Sequence, residues 1–600
     1  MRPLFLGYSE RTDLEELTNW GGYDTEGERI ELNEADLQTH MHLIGASRTG
    51  KSKMAEWIAR DLIRRDQGLC VIDPHGFLYE DILNWLAYLD PDREIILFDP
   101  SSEKRVVGFN PFISLGGDVS IQTDRILKAT LKAWGETDIN KTPRLVRWLR
   151  CLYHMILEQG YSLEYVRYLL NFKEREVREF LVSKITSDQV RNEFEELSNL
   201  TRLKDFLEQI ESTKNRLFPF MDSRQVRRIV GLDKNNIDLE DIIESGKILL
   251  VNLQPKRGVL SDENSHLLGT LLLSEIWDIA KHRKENEFRD KPSNFFVMID
   301  EFQLFLTPDI PEMLDQAAKY GIHLILCHQH LSQLEEMDKQ IYGAVMGNAK
   351  TKIVFGGLSD KDAMTMAREL FPGQINLNRV KYLIEQTKFW PKVGRATVHN
   401  STRGGGSSKG NSSGSGGGSS TSSNSGLSWD ANIPYSHLNT TFNKSDSRST
   451  NDTWSDSYSE STSESWSEGE ADVPFIYPEA FKEISSITPY SLEEQLWQIA
   501  GVMRNQYQRH FIIQRPGRPT VTGVTPFLKS FYIEKEDKEE YINKCLNSFM
   551  NPVDVDNSLL EIHKKLLLSS GVQKEETIEI NFNPDDIWEK SFAIDEENEK

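Results

Sequence analysis

The stretch HLIGASRTGKSKMAEW, residues 42–57, decides the fold of this chain. It begins with a short apolar run, His42-Leu43-Ile44, and then places Gly45 ahead of Gly50-Lys51-Ser52, with four residues between them. Apolar residues then recur at helical spacing, at Met54, Ile58 and Leu62. A strand, a glycine-rich turn and a helix in this order predict a phosphate-binding loop.

The backbone N–H groups of such a loop point at phosphate oxygens, because the turn opens a helix N-terminus. We expect Lys51 to reach the outer phosphates of a nucleotide and the Ser52 hydroxyl to be a ligand for Mg²⁺. The alternative is a glycine turn that carries a surface lysine. The predicted cofactor-binding residues of the loop are Gly45, Ala46, Ser47, Arg48, Thr49, Gly50, Lys51 and Ser52.

Further apolar runs predict the other strands of an α/β core. Two of them, GLCVIDPHG (68–76) and EIILFDP (94–100), alternate with helical patterns. Three more follow at GKILLVNLQP (246–255), NFFVMIDE (294–301) and GIHLILCHQ (321–329). Strands that alternate with helices indicate a mainly parallel sheet covered by helices.

Two long segments interrupt this core. Residues from about 136 to 228 contain amphipathic helical patterns without strands, which predicts an all-helical insertion. Residues 399–471 are rich in Gly, Ser and acidic residues, so we expect a disordered insert.

The expected domain organisation has seven parts. They are N-terminal strands and turns (1–42), the first part of the α/β core (43–135), the all-helical insertion domain (136–228), the second part of the core (229–398), the disordered Ser/Gly-rich insert (399–471), the end of the core (472–532) and an acidic C-terminal segment (533–600).

Carboxylates and an amide end three of the predicted strands. Asp300 and Glu301 follow the run FFVMI, and we expect Asp300 to hold Mg²⁺ and Glu301 to polarise the attacking water as a general base. Gln329 ends the next strand, where it could sense the γ-phosphate. Asp73 ends the second strand and could orient the water or bond to Ser52. Surface capping of the strand ends is the alternative reading of the carboxylate pair.

Composition excludes several classes of protein. A net charge of −23 over 600 residues excludes a uniformly basic nucleic-acid coat, so any contact with nucleic acid must be local. The four cysteines are scattered, which favours buried thiols in a reducing compartment. The sequence has neither a signal-peptide pattern nor an apolar run near the ~18 residues of a membrane span, so we expect a cytoplasmic protein.

The motifs taken together resemble the HerA/FtsK superfamily of ring-forming, DNA-pumping ATPases. Within it, the chain is most similar to the TraD/TraG-like coupling ATPases of type IV secretion and conjugation. The resemblance covers most of residues 40–357. It is carried by HLIGASRTGKS, VIDPHG, GFNPF, VMIDEFQLF, AAKYGIHLILCHQHLSQL and NAKTKIVFG.

The resemblance implies a RecA-like core, ATP as the nucleotide, and a homo-hexamer around nucleic acid with ATP sites between subunits. Members of the family often carry an arginine just before Lys-Tyr-Gly, whereas this chain has Ala318 there. A trans-acting arginine would then come from elsewhere. Arg144 and Arg216 are the catalytic candidates, and the alternative for each is an arginine on a solvated helix face.

The nucleic-acid contact is predicted in the loop LQPKRGVL, residues 253–260. Lys256 and Arg257 could contact DNA phosphates there without reading sequence. An ordinary solvated turn explains these two residues equally well.

Three functions remain open on the sequence. The first is an ATP-driven DNA translocase acting in DNA transfer, DNA processing or anti-phage defence. The second is an ATP-switched scaffold that recruits a partner nuclease, relaxase or effector. The third is a protein-remodelling ATPase, which a polypeptide would stimulate and DNA would not.

Overall fold

The structure is a computed structural model of the 600-residue chain. It describes residues 2–10, 14, 27–114, 116–136, 141–256, 259–283, 293–371, 373–400 and 469–572, without the side chains of residues 396–400 and 469–473. The chain divides into two compact units, residues 1–375 with 496–600 and residues 376–495.

An eleven-stranded sheet forms the centre of the first unit, in the order β2-β1-β13-β12-β9-β3-β8-β7-β4-β6-β5 among the described residues. Its seven strands from β9 to β5 are parallel, while β12, β13, β1 and β2 extend one edge antiparallel. The strands are β1 (Leu4–Ser9), β2 (Arg29–Leu32), β3 (Met41–Ile44), β4 (Gly68–Asp73), β5 (Ile95–Phe98), β6 (Ile248–Asn252), β7 (Phe295–Ile299), β8 (Ile322–His328), β9 (Thr351–Phe355), β12 (His510–Gln514) and β13 (Val521–Val524).

Helices cover the sheet and fill the long connection between β5 and β6. They are α1 (Glu34–Leu37), α2 (Lys51–Arg64), α3 (Phe77–Leu89), α4 (Val119–Ala133), α5 (Pro143–Gln159), α6 (Val166–Leu169), α7 (Arg175–Val182), α8 (Asp188–Ser198), α9 (Leu203–Asp222), α10 (Arg224–Val230), α11 (Leu239–Glu244), α12 (Asp262–His282), α13 (Ile310–Gln316), α14 (Leu331–Met337), α15 (Lys339–Asn348), α16 (Asp360–Leu370), α17 (Leu492–Arg504), α18 (Lys535–Cys545) and α19 (Pro552–Ser569).

The predicted α/β fold with a mainly parallel sheet is confirmed. Every residue of β3, β4, β7 and β8 is buried, as expected for strands covered on both faces. The apolar residues at helical spacing after the loop, Met54, Ile58 and Leu62, all lie in the core. The strand–turn–helix order around the loop is therefore the one that the sequence predicted.

The described residues between β5 and β6 form helices and no strand that pairs within the sheet. This agrees with the helical pattern of residues 136–228, although α4 and α11 lie outside that range. The functional division of the chain into seven parts stays a prediction. Most of the expected disordered insert, residues 401–468, lies outside the described residues.

The second unit contains a long two-stranded antiparallel ribbon that the sequence reading did not predict. Its strands are β10 (Val380–Asn400) and β11 (Gly469–Pro489), each of 21 residues. Lysine–glutamate pairs connect the two strands, for example Lys392 with Glu479 at 2.9 Å. Residues 472–495, the start of the predicted end of the core, belong to this second unit, and the predicted boundary at residue 472 stays a prediction.

We find no helix among the described residues with the length and apolar character that crossing a bilayer requires.

Candidate nucleotide site

The loop between β3 and α2 has the backbone of a phosphate cradle. Gly50 has a φ of 122°, which side-chain-bearing residues rarely adopt, and it ends the loop where α2 begins. Gly45 approaches β9 so closely that a Cβ on it would lie 2.5 Å from the Phe355 Cβ. The Ala46 N–H donates to the Gly356 carbonyl at 3.1 Å. Both glycines are therefore required by the shape of the loop.

Lys51 is held between the two carboxylates that follow β7. Its ammonium nitrogen lies 2.7 Å from Glu301 Oε1 and 3.5 Å from Asp300 Oδ1. All three residues are buried, and Lys51 is only 4% exposed. The sequence predicted Lys51 as a phosphate contact but gave no sign that its charge is neutralised within the chain.

The three charges shift one another's proton affinities. Burial opposes the charge of Lys51, but attraction to Asp300 and Glu301 raises the pKa of the ammonium above its usual value. Burial favours protonation of Glu301, yet Lys51 and the hydrogen bonds to the carboxylate lower its pKa overall. Burial raises the pKa of Asp300, and Lys51 offsets only part of that rise. The lowered pKa of Glu301 favours its ionised form, which a general base requires.

Two amides hold the Glu301 carboxylate in place. Gln329 donates to Glu301 Oε1 at 2.8 Å, and Gln303 donates to Oε2 at 2.7 Å. The Gln329 carbonyl in turn accepts from the Ser47 hydroxyl at 3.0 Å. A chain of contacts thus runs from the phosphate loop through Gln329 to Glu301. Glu301 itself has a φ of 45°, a left-handed conformation that is often found at functional sites.

Asp73 has a structural contact that the sequence reading did not anticipate. Its two oxygens accept the backbone N–H groups of His75 at 2.8 Å and Tyr79 at 2.9 Å. The carboxylate therefore holds the turn between β4 and α3. Its role toward a nucleotide stays a prediction.

The residues expected to bind a metal are compatible with Mg²⁺. Ser52 is exposed in the first turn of α2, and Asp300 directly follows β7, with its N–H bonded to the Ile72 carbonyl at 3.0 Å. Within the described ranges, no group of three or more His, Cys, Asp or Glu residues could hold a metal by itself. A hydroxyl and one carboxylate suit Mg²⁺, which usually keeps several waters and binds phosphate oxygens.

The two candidate arginines lie on helices and pair with carboxylates of their own chain. Arg144, at the start of α5, lies 3.4 Å from Glu208, and Arg216, in α9, lies 2.6 Å from Glu136. Both side chains are about half exposed, and exposed ion pairs are weak. These contacts leave either arginine able to exchange its partner.

The predicted DNA contacts are only partly described. Lys256 is exposed, and its ammonium donates to the Ser101 hydroxyl at 2.5 Å. Arg257 lies outside the described residues.

A buried histidine pair lies beneath the loop and was not predicted. His42 in β3 and His328 in β8 have ring centroids 4.6 Å apart, and their Nε2 atoms share a hydrogen bond. Burial lowers the pKa of His328 to about 3, and burial also lowers the pKa of His42. Both rings are therefore neutral, and they join the strand before the loop to the strand that carries Gln329.

The end of α17 and the residues that follow it pack against the loop from another side. The Arg509 N–H donates to the Thr49 carbonyl at 2.8 Å, and the Gly357 N–H donates to the Arg504 carbonyl at 2.9 Å. Arg509 and Thr49 are 460 positions apart in sequence, and Gly357 and Arg504 are 147 positions apart, so no local sequence pattern predicts these contacts.

The phosphate loop, the carboxylate pair and the amide meet at the carboxyl edge of a parallel sheet, which defines a P-loop NTPase fold. A family model described as the TraM recognition site of TraD and TraG matches residues 294–371. The resemblance to TraD/TraG-like P-loop ATPases is thereby confirmed over the segment that contains Asp300, Glu301 and Gln329.

Solved structures of coupling proteins and of VirB4 are similar to this chain. The bacterial conjugative coupling protein TrwBdeltaN70 is 14% identical, with 83% of this chain and 87% of that chain covered and a TM-score of 0.45. Plasmid coupling protein TrwB in complex with ADP and Mg²⁺ is 13% identical, with 89% and 97% covered and a TM-score of 0.46. VirB4 of Thermoanaerobacter pseudethanolicus is 14% identical, with 59% and 87% covered and a TM-score of 0.35. No curated protein matches the sequence.

Proposed function

We propose that this protein hydrolyses ATP at the loop of residues 45–52 and uses the energy to move DNA. The observation that supports the proposal most strongly is the Lys51–Glu301–Gln329 network. It brings a phosphate-binding ammonium, an ionised carboxylate and an amide to one edge of the sheet. These are the groups that phosphoryl transfer to water requires.

ATP binding would begin by changing the partner of Lys51. The γ-phosphate of ATP competes with Glu301 for the Lys51 ammonium, which lies 2.7 Å from the Glu301 carboxylate. Transfer of Lys51 to the phosphate frees one oxygen of Glu301 to accept a proton from water. The contact between Gln303 and the other oxygen keeps the carboxylate in position during that exchange.

Gln329 is placed to report the change to the rest of the protein. Its amide bonds to Glu301 on one side and Ser47 on the other, so movement of Glu301 alters both contacts. Gln329 is followed directly by His330 and α14 (Leu331–Met337). We propose that α14 carries the signal of phosphate loss away from the site.

Ser52 and Asp300 would hold Mg²⁺, and the remaining ligands would be water and phosphate oxygens. When bound, the ion neutralises charge on the transferring phosphoryl group. The raised pKa of the buried Asp300 carboxyl fits this role, because a divalent cation would stabilise its ionised form.

The DNA-moving part of the proposal is supported by the family match. Residues 294–371 match a model of the TraM recognition site of TraD and TraG, and this segment contains the proposed general base. We propose a homo-hexamer in which Arg144 or Arg216 of one subunit completes the site of its neighbour. Lys256 and Arg257 would contact DNA phosphates, and a relaxase, nuclease or effector would be the partner.

ATP turnover with and without added DNA tests this function. We expect phosphate release that DNA stimulates, and loss of that release in the Lys51→Ala protein. Tight ATP binding with slow turnover that DNA does not change would instead support the ATP-switched scaffold. Stimulation by a polypeptide and not by DNA would support the protein-remodelling ATPase.

A further inference from the structure

The strand order fixes the direction in which a bound nucleotide must lie. Asp300, Glu301 and Gln329 end β7 and β8, which lie on one side of β3 and its phosphate loop. The γ-phosphate must point toward that side, since the proposed general base, Glu301, is there. The ribose and the nucleobase must therefore leave the loop on the other side, toward β9, β12 and β13.

The segment on that other side touches the loop directly. Arg509 donates its backbone N–H to the Thr49 carbonyl at 2.8 Å, and its Cα lies 3.4 Å from the position of a Cβ built on Gly50. Arg509 also has a φ of 73°, an unusual conformation for a residue with a side chain. This backbone is held against the phosphate loop and cannot be an independent surface turn.

An exposed aromatic ring stands beside Arg509. The Arg509 guanidinium lies over the Phe527 ring, 5.8 Å from its centroid, and its Nε donates to the Thr525 carbonyl at 3.2 Å. The contacts fix the guanidinium on one face of the ring. Phe527 nevertheless remains 80% exposed, although β13 ends only three residues earlier.

We propose that the ring of Phe527, backed by Arg509, is the surface on which the nucleotide base stacks. The inference rests on the proposed ATP site and adds the residues that hold the base. An aromatic ring covered on one face by a cation offers its other face to a planar ring system. Every base has such a face, so the contact selects for ring size and not for exocyclic groups.

The expected selectivity follows from that chemistry. Purine nucleotides should bind more tightly than pyrimidine nucleotides, and ATP and GTP should bind similarly. Truncation of the ring in Phe527→Ala should weaken ATP binding by roughly 5- to 150-fold, the range found when a base loses a stacked aromatic partner. It should also reduce the difference between ATP and CTP.

Inorganic tripolyphosphate separates base stacking from phosphate binding. Phe527→Ala should weaken MgATP and leave the affinity for magnesium tripolyphosphate unchanged, because that probe has no base. Phe527→Trp, which keeps an aromatic ring, should bind ATP about as tightly as the wild-type protein. Tyr532→Ala is the matched control, since Tyr532 is 89% exposed and its neighbour Phe531 packs on Tyr88 and under the guanidinium of Arg60.

Two results would overturn the inference while leaving the ATP site intact. One is an unchanged ATP affinity in Phe527→Ala, including a case in which only DNA binding is lost. The other is an equal loss of ATP and tripolyphosphate binding, which would mean that the loop itself had shifted. Failure of the wild-type protein to bind either compound would refute the proposed function first, and this inference with it.

Discussion

Replacement of Glu301 by glutamine should make the protein bind ATP more tightly and hydrolyse it much more slowly. Glutamine keeps the shape of the side chain but removes the charge that pairs with Lys51 at 2.7 Å. If Lys51 must leave Glu301 to reach the γ-phosphate, the variant no longer has to break that ion pair. The same change removes the general base.

The size of the affinity gain follows from the contact. Coulomb attraction at 2.7 Å is about 6 kcal/mol at an effective dielectric constant of 20. Most of that is offset by desolvation, and hydrogen bonds to charged groups contribute a net ~1.5–3 kcal/mol. The ATP dissociation constant should therefore fall by roughly 10- to 100-fold, since each 1.4 kcal/mol is a factor of ten. Turnover should fall by about 10²–10⁴-fold.

Calorimetric titration with ATP and a phosphate-release assay measure the two effects on one preparation. Gln303→Ala is the matched control, because Gln303 donates to Glu301 Oε2, whereas Lys51 donates to Oε1. We expect this control to change turnover modestly without raising ATP affinity. Wild-type turnover in Glu301→Gln would show that another residue is the base. An unchanged ATP affinity would refute the competition between Glu301 and phosphate.

Three further predictions follow from the same site. Lys51→Ala should abolish ATP binding. It should also lower the free energy of unfolding by roughly 3–5 kcal/mol, because it leaves two buried carboxylates without their cation. A melting curve like that of the wild type would refute the ion pair. The pH profile of kcat/KM, which reports the free enzyme in which Lys51 still pairs with Glu301, should stay level as pH falls to about 5, because the lowered pKa of Glu301 keeps the carboxylate ionised until the pH drops below its usual 4.5. An acid limb of kcat/KM with an apparent pKa near 6–7 would assign the base to another group. Arg144→Ala or Arg216→Ala should cut turnover by about 10³–10⁵-fold while ATP still binds. Mixing that variant with Lys51→Ala subunits should restore some activity, because an intact loop can then face an intact arginine. A protein that stays monomeric with ATP and DNA, with both arginine variants fully active, would contradict the ring.

The core strands and the phosphate loop were predictable from sequence because their signals are local. A parallel strand buried on both faces reads as an uninterrupted apolar run, as FFVMI and HLILCH do. The loop motif lies within a single strand–turn–helix unit. Asp300 and Glu301 were found because they directly follow one of those runs.

The contacts that set the behaviour of the site were not predictable, because they join distant parts of the chain. Lys51 and Glu301 are 250 positions apart, and only the strand order brings them together. The turn-forming bonds of Asp73 depend on how the chain leaves β4. Arg509 reaches the loop only because β12 adds to the sheet beside β9. The ribbon of β10 and β11 was not predictable from local patterns, because a long segment of sequence separates the two strands that pair.

Displacement of an oligonucleotide from DNA tests the central claim, ATP-driven movement along DNA, most directly. The substrates are duplex DNA carrying a triplex-forming strand and single-stranded DNA carrying an annealed strand, since either track is compatible with the site. We predict displacement on at least one substrate by the wild-type protein with ATP, and none by Glu301→Gln despite its tight ATP binding. ATP hydrolysis without displacement on either substrate would contradict the account.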